Sequence, residues 1–259
     1  MSPREGGPAV ARLNPVAKLA ASLLIAVPLI VTVDAVSAGV ALLLELPLLL
    51  MAGLGWRRFW LRTLPLWIGA PATAVTIALY GATSGAMLFE WMFIRVSEGS
   101  LALALAAFLR VLAIGLPAVV LFATVDPTDL ADGLAQIVRL PPRFVLGALA
   151  GMRMLGLLAE DWRALALARR ARGVADTGRT RRALGMAFAL FVLAIRRGSA
   201  LATAMEARAF GAPGPRTWAR PSRMHRGDGA LMVAGLAISA TAVTAAVAVG
   251  SFHPIFGPA

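Results

Sequence analysis

The 259-residue sequence has no cysteine, two histidines (His225 and His253) and a single lysine, Lys18. Without cysteine there are no disulfides, no thiolate metal sites and no cysteine nucleophile. The two histidines lie far apart and show no Glu-x-x-His or His-Glu-x-x-His spacing, so no metal site is expected. A Walker-type phosphate loop needs Gly-Lys-Ser/Thr, and the lone lysine stands in Ala17-Lys18-Leu19. The chain is therefore not expected to bind ATP through such a loop. Charge is scarce as well, at 15% of residues against 59% hydrophobic, with a mean hydropathy of +0.79. A soluble domain carries about a quarter charged residues, and a disordered chain is poor in hydrophobics. Both classes are excluded, leaving a polytopic membrane protein.

Uncharged stretches near the bilayer length of about 20 residues occur five times. They cover 16–33, where Lys18 can snorkel from the end, and 36–54, interrupted by Glu45. The next are 64–82 and 101–125, the latter holding Arg110, and the last is 229–252. An N-terminal run could be a signal peptide, but four more spans behind it favour an uncleaved anchor. Residues 126–228 differ, holding 17 of the 25 basic residues and eight of the 13 acids. Two helices are expected there, at 142–172 and 180–210, broken by Gly173 and Gly178 and ended by Gly211, Pro213, Gly214 and Pro215. The apolar run 183–195 is short for a crossing and suits an interfacial or buried helix. The expected fold is thus all-α: a membrane part over 1–125, a cytoplasmic helical domain over 126–228, and a last span with a short outer tail over 229–259.

The 24 arginines give a net charge of +12, which in a soluble chain would suggest nucleic acid. In a membrane protein, basic residues gather in cytoplasmic loops. An inward N-terminus places Arg4, Arg12, Lys18, Arg57, Arg58, Arg62 and the helical insert on that side, 23 of 25 basic residues. Asp34, Glu90, Arg95 and Glu98 fall outside. The expectation is N-terminus in, C-terminus out, with no nucleic-acid partner.

The insert repeats itself. Leu165-Ala166-Leu167-Ala168-Arg169-Arg170-Ala171-Arg172-Gly173 aligns with Leu201-Ala202-Thr203-Ala204-Met205-Glu206-Ala207-Arg208-Ala209, placing Arg172 and Arg208 36 residues apart. Each arginine should close a helix, where a cation complements the macrodipole. Small neighbours let a partner approach while the guanidinium reaches an acidic groove, a role for which Arg suits better than Lys. Chance repetition in an Ala/Arg-rich chain is the alternative.

These motifs resemble the coupling domain of the transmembrane (T) component of energy-coupling factor transporters, the EcfT/CbiQ/BioN family. Ala171-Arg172-Gly173 matches the family's first Ala-Arg-small motif, and Ala207-Arg208-Ala209 is similar to the second, with Ala209 where glycine or serine is usual. Leu13-Asn14-Pro15-Val16-Ala17-Lys18-Leu19 resembles the N-terminal Asp-Pro-x-x-Lys-Leu signature, with Asn14 replacing the acid. Thr124-Val125-Asp126-Pro127-Thr128-Asp129-Leu130 and Leu140-Pro141-Pro142-Arg143 resemble the segments leading into the coupling helices. The resemblance implies a non-catalytic scaffold in the bacterial inner (plasma) membrane, serving uptake of a vitamin or transition-metal ion. It also implies two ABC ATPase subunits as partners, ATP being bound by them, and a separate substrate-binding membrane (S) subunit. Ala171, Arg172, Gly173, Ala207, Arg208 and Ala209 would make the ATPase contacts.

Two other classes compete. A membrane lipid or prenyl transferase needs clustered acids for a metal, and Asp126, Asp129 and Asp132 sit at i, i+3, i+6; Pro127 makes them equally good helix-start residues. An ordinary ABC permease subunit would carry one coupling site rather than two. Glu45 and Arg110 are intramembrane charges and thus functional candidates; pairing with each other is the first expectation, contact with the S subunit or an ion path the alternatives. Gly81–Gly85 reads as a turn, and Gly147 with Gly151 as a close-packing face of the first coupling helix. Trp56, Trp60 and Trp67 read as an interfacial belt, with Trp91 a further anchor.

Overall fold

The computed structural model describes residues 9–32, 34–91, 94–173, 178–210 and 217–251. Arg4, Val33, His253 and the breakers at 211–215 lie outside them. Among the described residues the chain forms eight α-helices and one hairpin: α1 (Pro15–Val31), α2 (Ala35–Met51), α3 (Trp56–Tyr80), β1 (Met87–Trp91), β2 (Ile94–Ser97), α4 (Glu98–Phe122), α5 (Pro127–Gln136), α6 (Pro142–Ala171), α7 (Arg179–Ala207) and α8 (Arg226–Val249). They divide into two compact units, Met1–Leu130 with Ser222–Ala259, and Ala131–Pro221.

Capping chemistry sets the helix starts. Asn14 caps α1, accepting from the Val16 amide at 2.9 Å, with Pro15 in the first turn, where its missing N–H costs nothing. Asp34 caps α2 through the Ser37 amide (2.6 Å) and hydroxyl (2.7 Å). Ser97 and Ser100 form a reciprocal capping box on α4. Asp126 accepts from the Thr128 amide at 2.8 Å, so the first acid of the Asp126–Asp129–Asp132 series serves the start of α5. Among the described residues, no group of three or more His, Cys, Asp or Glu is placed to hold a metal. The α4 C-terminus, where carbonyls lack partners, receives Arg62, which donates to the Ala123 carbonyl.

In the first unit α1 packs on α8 and α4, α2 on α4 and α8, and α3 on α4. Ile25 and Leu29 of α1 meet Ala41 of α2, Ala113 of α4, and Ile238 and Ala242 of α8 in one cluster. A second joins Ala21, Leu48, Val120, Leu121 and Leu231. Small residues let backbones approach, as expected where lipid removes the hydrophobic drive between helices. A Cβ on Gly235 would stand 3.0 Å from the Ala21 carbonyl oxygen, marking a tight α1–α8 contact. Apolar side chains on the other faces, such as Leu43, Leu50, Ile68 and Val233, point outward.

The second unit is open. α6 buries no residue, and α7 buries Met186. Five helices are long and apolar enough to cross a membrane, namely α3, α4, α6, α7 (from Thr180) and α8. With eight helices among the described residues, the fold is that of an all-α, multi-pass membrane protein. The set includes α6 and α7, although Arg153 and Arg163 lie within α6 and Arg196 and Arg197 within α7. It omits α1 and α2, which at 17 residues each reach about 25 Å at 1.5 Å per residue.

Several expectations change. Arg57, Arg58 and Arg62 lie within the first turns of α3, not in a loop, because the helix starts at Trp56. The segment between α3 and α4 forms an antiparallel hairpin, pairing Phe89 with Val96 and Glu90 with Arg95. Lys18 does not snorkel; it is 1% exposed and donates to the Thr124 hydroxyl at 2.9 Å. Gly147 and Gly151 face open space: a Cβ added at either would meet nothing within 4 Å. Trp56, Trp60 and Trp67 do form a ladder, with successive ring centroids 5.6 and 5.4 Å apart.

Candidate functional site

Both arginine motifs adopt one backbone geometry. α6 ends at Ala171, Arg172 is its C-cap (φ −86°, ψ 1°) and Gly173 turns left-handed at φ +69°. α7 ends at Ala207, Arg208 is its C-cap (φ −93°, ψ 16°) and Ala209 turns left-handed at φ +53°. The Ala209 amide donates to the Glu206 carbonyl and the Phe210 amide to that of Met205, both at 2.9 Å. That pair of bonds is a Schellman cap, normally closed by glycine. Gly173 makes the matching bond to Arg170 at 3.1 Å. The alanine at 209 thus takes the conformation that glycine supplies in the first motif, against the intrinsic preference of an L-residue. All six residues, Ala171, Arg172, Gly173, Ala207, Arg208 and Ala209, are exposed.

The two helices run antiparallel. Asp161 of α6 and Arg197 of α7 make a two-pronged ion pair, with Arg197 Nη2 3.1 Å from Asp161 Oδ1. Nearer the α6 end, the Arg169 guanidinium lies 3.2 Å from where a Cβ on Gly185 would stand. Asp161 and Arg197 are themselves 36 residues apart, the offset that relates Arg172 to Arg208. A contact between equivalent positions of a repeated element lies on the two-fold relating them. The ion pair therefore marks a local pseudo-two-fold, with each motif arginine 11 residues beyond it on its own helix, about 16 Å along the axis. The 36-residue offset, applied to Asp161, points to this pair from the sequence; the repeat of the arginine motif does not by itself reach that far back along the helices. Beside it lies a groove of 460 Å³ lined by Leu149, Met154, Leu157 and Leu201 with Arg153 and Arg197.

Glu45 and Arg110 do not pair. Glu45 is fully buried on the α2 stripe Ala38, Ala41, Glu45, Leu48, and neither carboxylate oxygen has a hydrogen-bond partner. The acid acting electrostatically on Arg110 is Asp34, at the start of α2, and one Arg110 nitrogen is buried without a partner. Eleven residues separate Asp34 from Glu45 on that helix, about 16 Å. The two charges stand in different spans, and their depth along the helices keeps them apart.

Comparison with known proteins bears on most of the chain. The family described as CbiQ, cobalt transport protein, matches residues 8–217. The energy-coupling factor transporter transmembrane protein EcfT of Exiguobacterium sibiricum is 30% identical over 169 residues, 61% of this chain and 64% of that protein. Its namesake from Limosilactobacillus fermentum is 27% identical over 184 residues, 64% of this chain and 68% of that protein. That from Streptococcus equi subsp. equi is 25% identical over 218 residues, 79% of this chain and 80% of that protein. The first alignment thus spans under two thirds of the relative's length, whereas the family match runs through both arginine motifs. With 210 of 259 residues inside the family match, the chain belongs to the EcfT/CbiQ family of energy-coupling factor transporter transmembrane components.

Proposed function

We propose that this chain is the scaffold and energy-coupling subunit of an importer in the bacterial plasma membrane. It joins two cytoplasmic ABC ATPases to a separate S subunit that binds a vitamin or transition-metal ion. In this reading the chain does no chemistry: the ATPases bind and hydrolyse ATP, and the S subunit selects the cargo. α1, α2, α3, α4 and α8 cross the bilayer; α6 and α7 stay on the cytoplasmic side, as does the N-terminus, while the C-terminus lies outside. The charge count supports that orientation, with 23 of 25 basic residues on the inner side.

The observation that carries the reading is the matched pair of exposed arginine-capped helix ends, disposed about the Asp161–Arg197 contact. Two equivalent plugs related by a pseudo-two-fold suit two copies, or two homologues, of one partner, and an ATPase pair is such a partner. Each guanidinium enters an acidic groove at a helix C-terminus, where the macrodipole already favours a cation. Alanine or glycine on either side gives the clearance. An ordinary permease, with one coupling helix, would have no use for the second.

Removing one member of a buried charge pair costs on the order of 2–5 kcal/mol, so each truncation should weaken ATPase binding by at least about thirtyfold. The expected outcome for Arg172→Ala with Arg208→Ala is a correctly inserted chain that no longer co-purifies with ATPases. Each single variant should keep partial association. Full co-purification and transport by the double variant would overturn the assignment.

A further inference from the structure

The chain leaves the first unit after Leu130 and returns to it at Ser222. Two segments of the first unit, the end of α4 at Thr124 and the stretch from Ser222 to Asp228, both bond to the start of α1. On the outgoing side, Lys18 Nζ donates to the Thr124 hydroxyl at 2.9 Å, six residues before the crossing, and to the Ala11 carbonyl at 3.4 Å. On the returning side, the Asn14 side-chain amide donates to the Ser222 hydroxyl at 3.1 Å and the Arg223 carbonyl at 3.2 Å. The Asp228 carboxylate then ties two helix starts together, accepting from the Asn14 amide and the His225 amide, each at 2.7 Å. All of these residues belong to the first unit.

We propose that Asn14, Lys18 and Asp228 form a clamp that ties the end of α4 at Thr124 and the segment from Ser222 to Asp228 to the start of α1, so that displacement of either segment is passed to α1 and α8. Asn14, Lys18 and Asp228 act as positioning residues. The importance of the clamp for transport rests on the energy-coupling reading above; its existence does not.

Three observations carry it. Lys18 and Asp228 are each 1% exposed, and ions are left out of water only where hydrogen bonds and opposite charge compensate them. Here the compensation comes from those segments and from the start of α1: the acid and the ammonium interact electrostatically, Lys18 donates to Thr124 and Ala11, and Asp228 accepts from the backbone of Asn14 and His225. Second, the Asp228 carboxylate sits where the N-terminal ends of α1 and α8 meet, so two positive helix ends share one anion. Moving either helix start by an ångström or two strands the carboxylate. Third, Lys18 is the only lysine among 24 arginines. Its compact ammonium is fully buried, a setting in which lysine and the planar arginine fork are not interchangeable.

Hydrogen exchange on the full chain in lipid nanodiscs tests the clamp. Thr124→Val keeps the side-chain volume and removes the closer of the two acceptors of Lys18; Ser222→Ala removes one of the two acceptors of the Asn14 side chain. Each single variant should speed exchange at least about tenfold in both 123–130 and 222–229, although one change is local to only one of them. Thr124→Ser should restore wild-type exchange, and α3 should be unaffected throughout. Loosening confined to the substituted segment, or spread evenly over the bundle, overturns the clamp. In the assembled transporter, Mg-ATP with vanadate should alter exchange at 222–229 in the wild type but not in Thr124→Val. If Thr124→Val keeps that response while Arg172→Ala with Arg208→Ala loses it, the clamp fails and the coupling reading stands. If both arginine substitutions leave the response intact, the coupling reading fails instead.

Discussion

Ala209 holds a backbone conformation that costs an L-residue about 1–2 kcal/mol, at φ +53° in a complete Schellman cap. Replacing it by glycine removes that strain, while the greater freedom of glycine in the unfolded chain takes back about 0.4–1 kcal/mol. Ala209→Gly should therefore slow hydrogen exchange of the amides at 209 and 210 by about two- to fivefold. A valine there, branched at Cβ, should do the opposite and open the cap. Glu45 is the other residue at odds with its surroundings, a fully buried carboxyl group whose oxygens have no partner. A buried polar group without hydrogen bonds costs about 1–3 kcal/mol by mutational measures. Glu45→Leu, of similar size, should accordingly raise the thermal midpoint of the detergent-solubilised chain. Its effect should add to that of Arg110→Leu, since the two groups do not touch; a strongly non-additive cycle would restore the pairing expected from sequence. The arginine motifs are legible in the sequence because helix ends, small residues and repeated spacing are all written locally. The solitude of Glu45 is not, because depth along a helix relative to a neighbour depends on how the helices pack.

Between α6 and α7, which bury little, the Asp161–Arg197 ion pair ties the two helices together. The side chains of Arg197 and Asp161 retain 35% and 21% of their exposure, so solvent screens them and the pair is worth about 0.5–1 kcal/mol. Asp161→Ala and Arg197→Ala should each cost about that much in the unfolding of this unit, with a coupling energy of the same size in the double variant. Exchanging the partners, Asp161→Arg with Arg197→Asp, should recover most of the loss, because the two positions are equivalent about the pseudo-two-fold. Failure of the exchange to recover stability would show that the helices are not related in that way. Breakers and caps place the ends of these helices to within a few residues: 142–172 and 180–210 from sequence against Pro142–Ala171 and Arg179–Ala207. The exception is α3, which starts at Trp56 rather than near 64. A boundary drawn at the first charge cuts its arginines away, yet a charged turn continues a helix as readily as an apolar one.

For the whole molecule, composition specifies a multi-pass membrane protein but not which helices cross. Length favours α6 and α7 over α1 and α2, whereas apolar character favours α1 and α2 and packing groups them with α3, α4 and α8 in one unit. Two effects therefore compete. A 17-residue helix reaches only the lower bound for spanning, about 17–25 residues, but burial of its inner face by its neighbours compensates by fixing it within the bundle. α6 and α7 are long enough, but they carry Arg153 and Arg163, and Arg196 and Arg197, within their length, at a cost of about 2.5–3.5 kcal/mol for each one carried to mid-bilayer. Because the chain has no cysteine, single-cysteine variants decide the matter without a background. Thr83→Cys, at the hairpin end of α3, should react with a membrane-impermeant maleimide on intact cells or spheroplasts. Thr180→Cys, at the start of α7, and Thr217→Cys should react only after permeabilisation. Were α6 and α7 to cross the membrane as a hairpin, Thr180→Cys would label from outside while Thr217→Cys stayed protected. An inverted chain would exchange the behaviour of Thr83→Cys with that of the other two. The proposed topology survives one pattern alone, with Thr83 outside and both Thr180 and Thr217 inside.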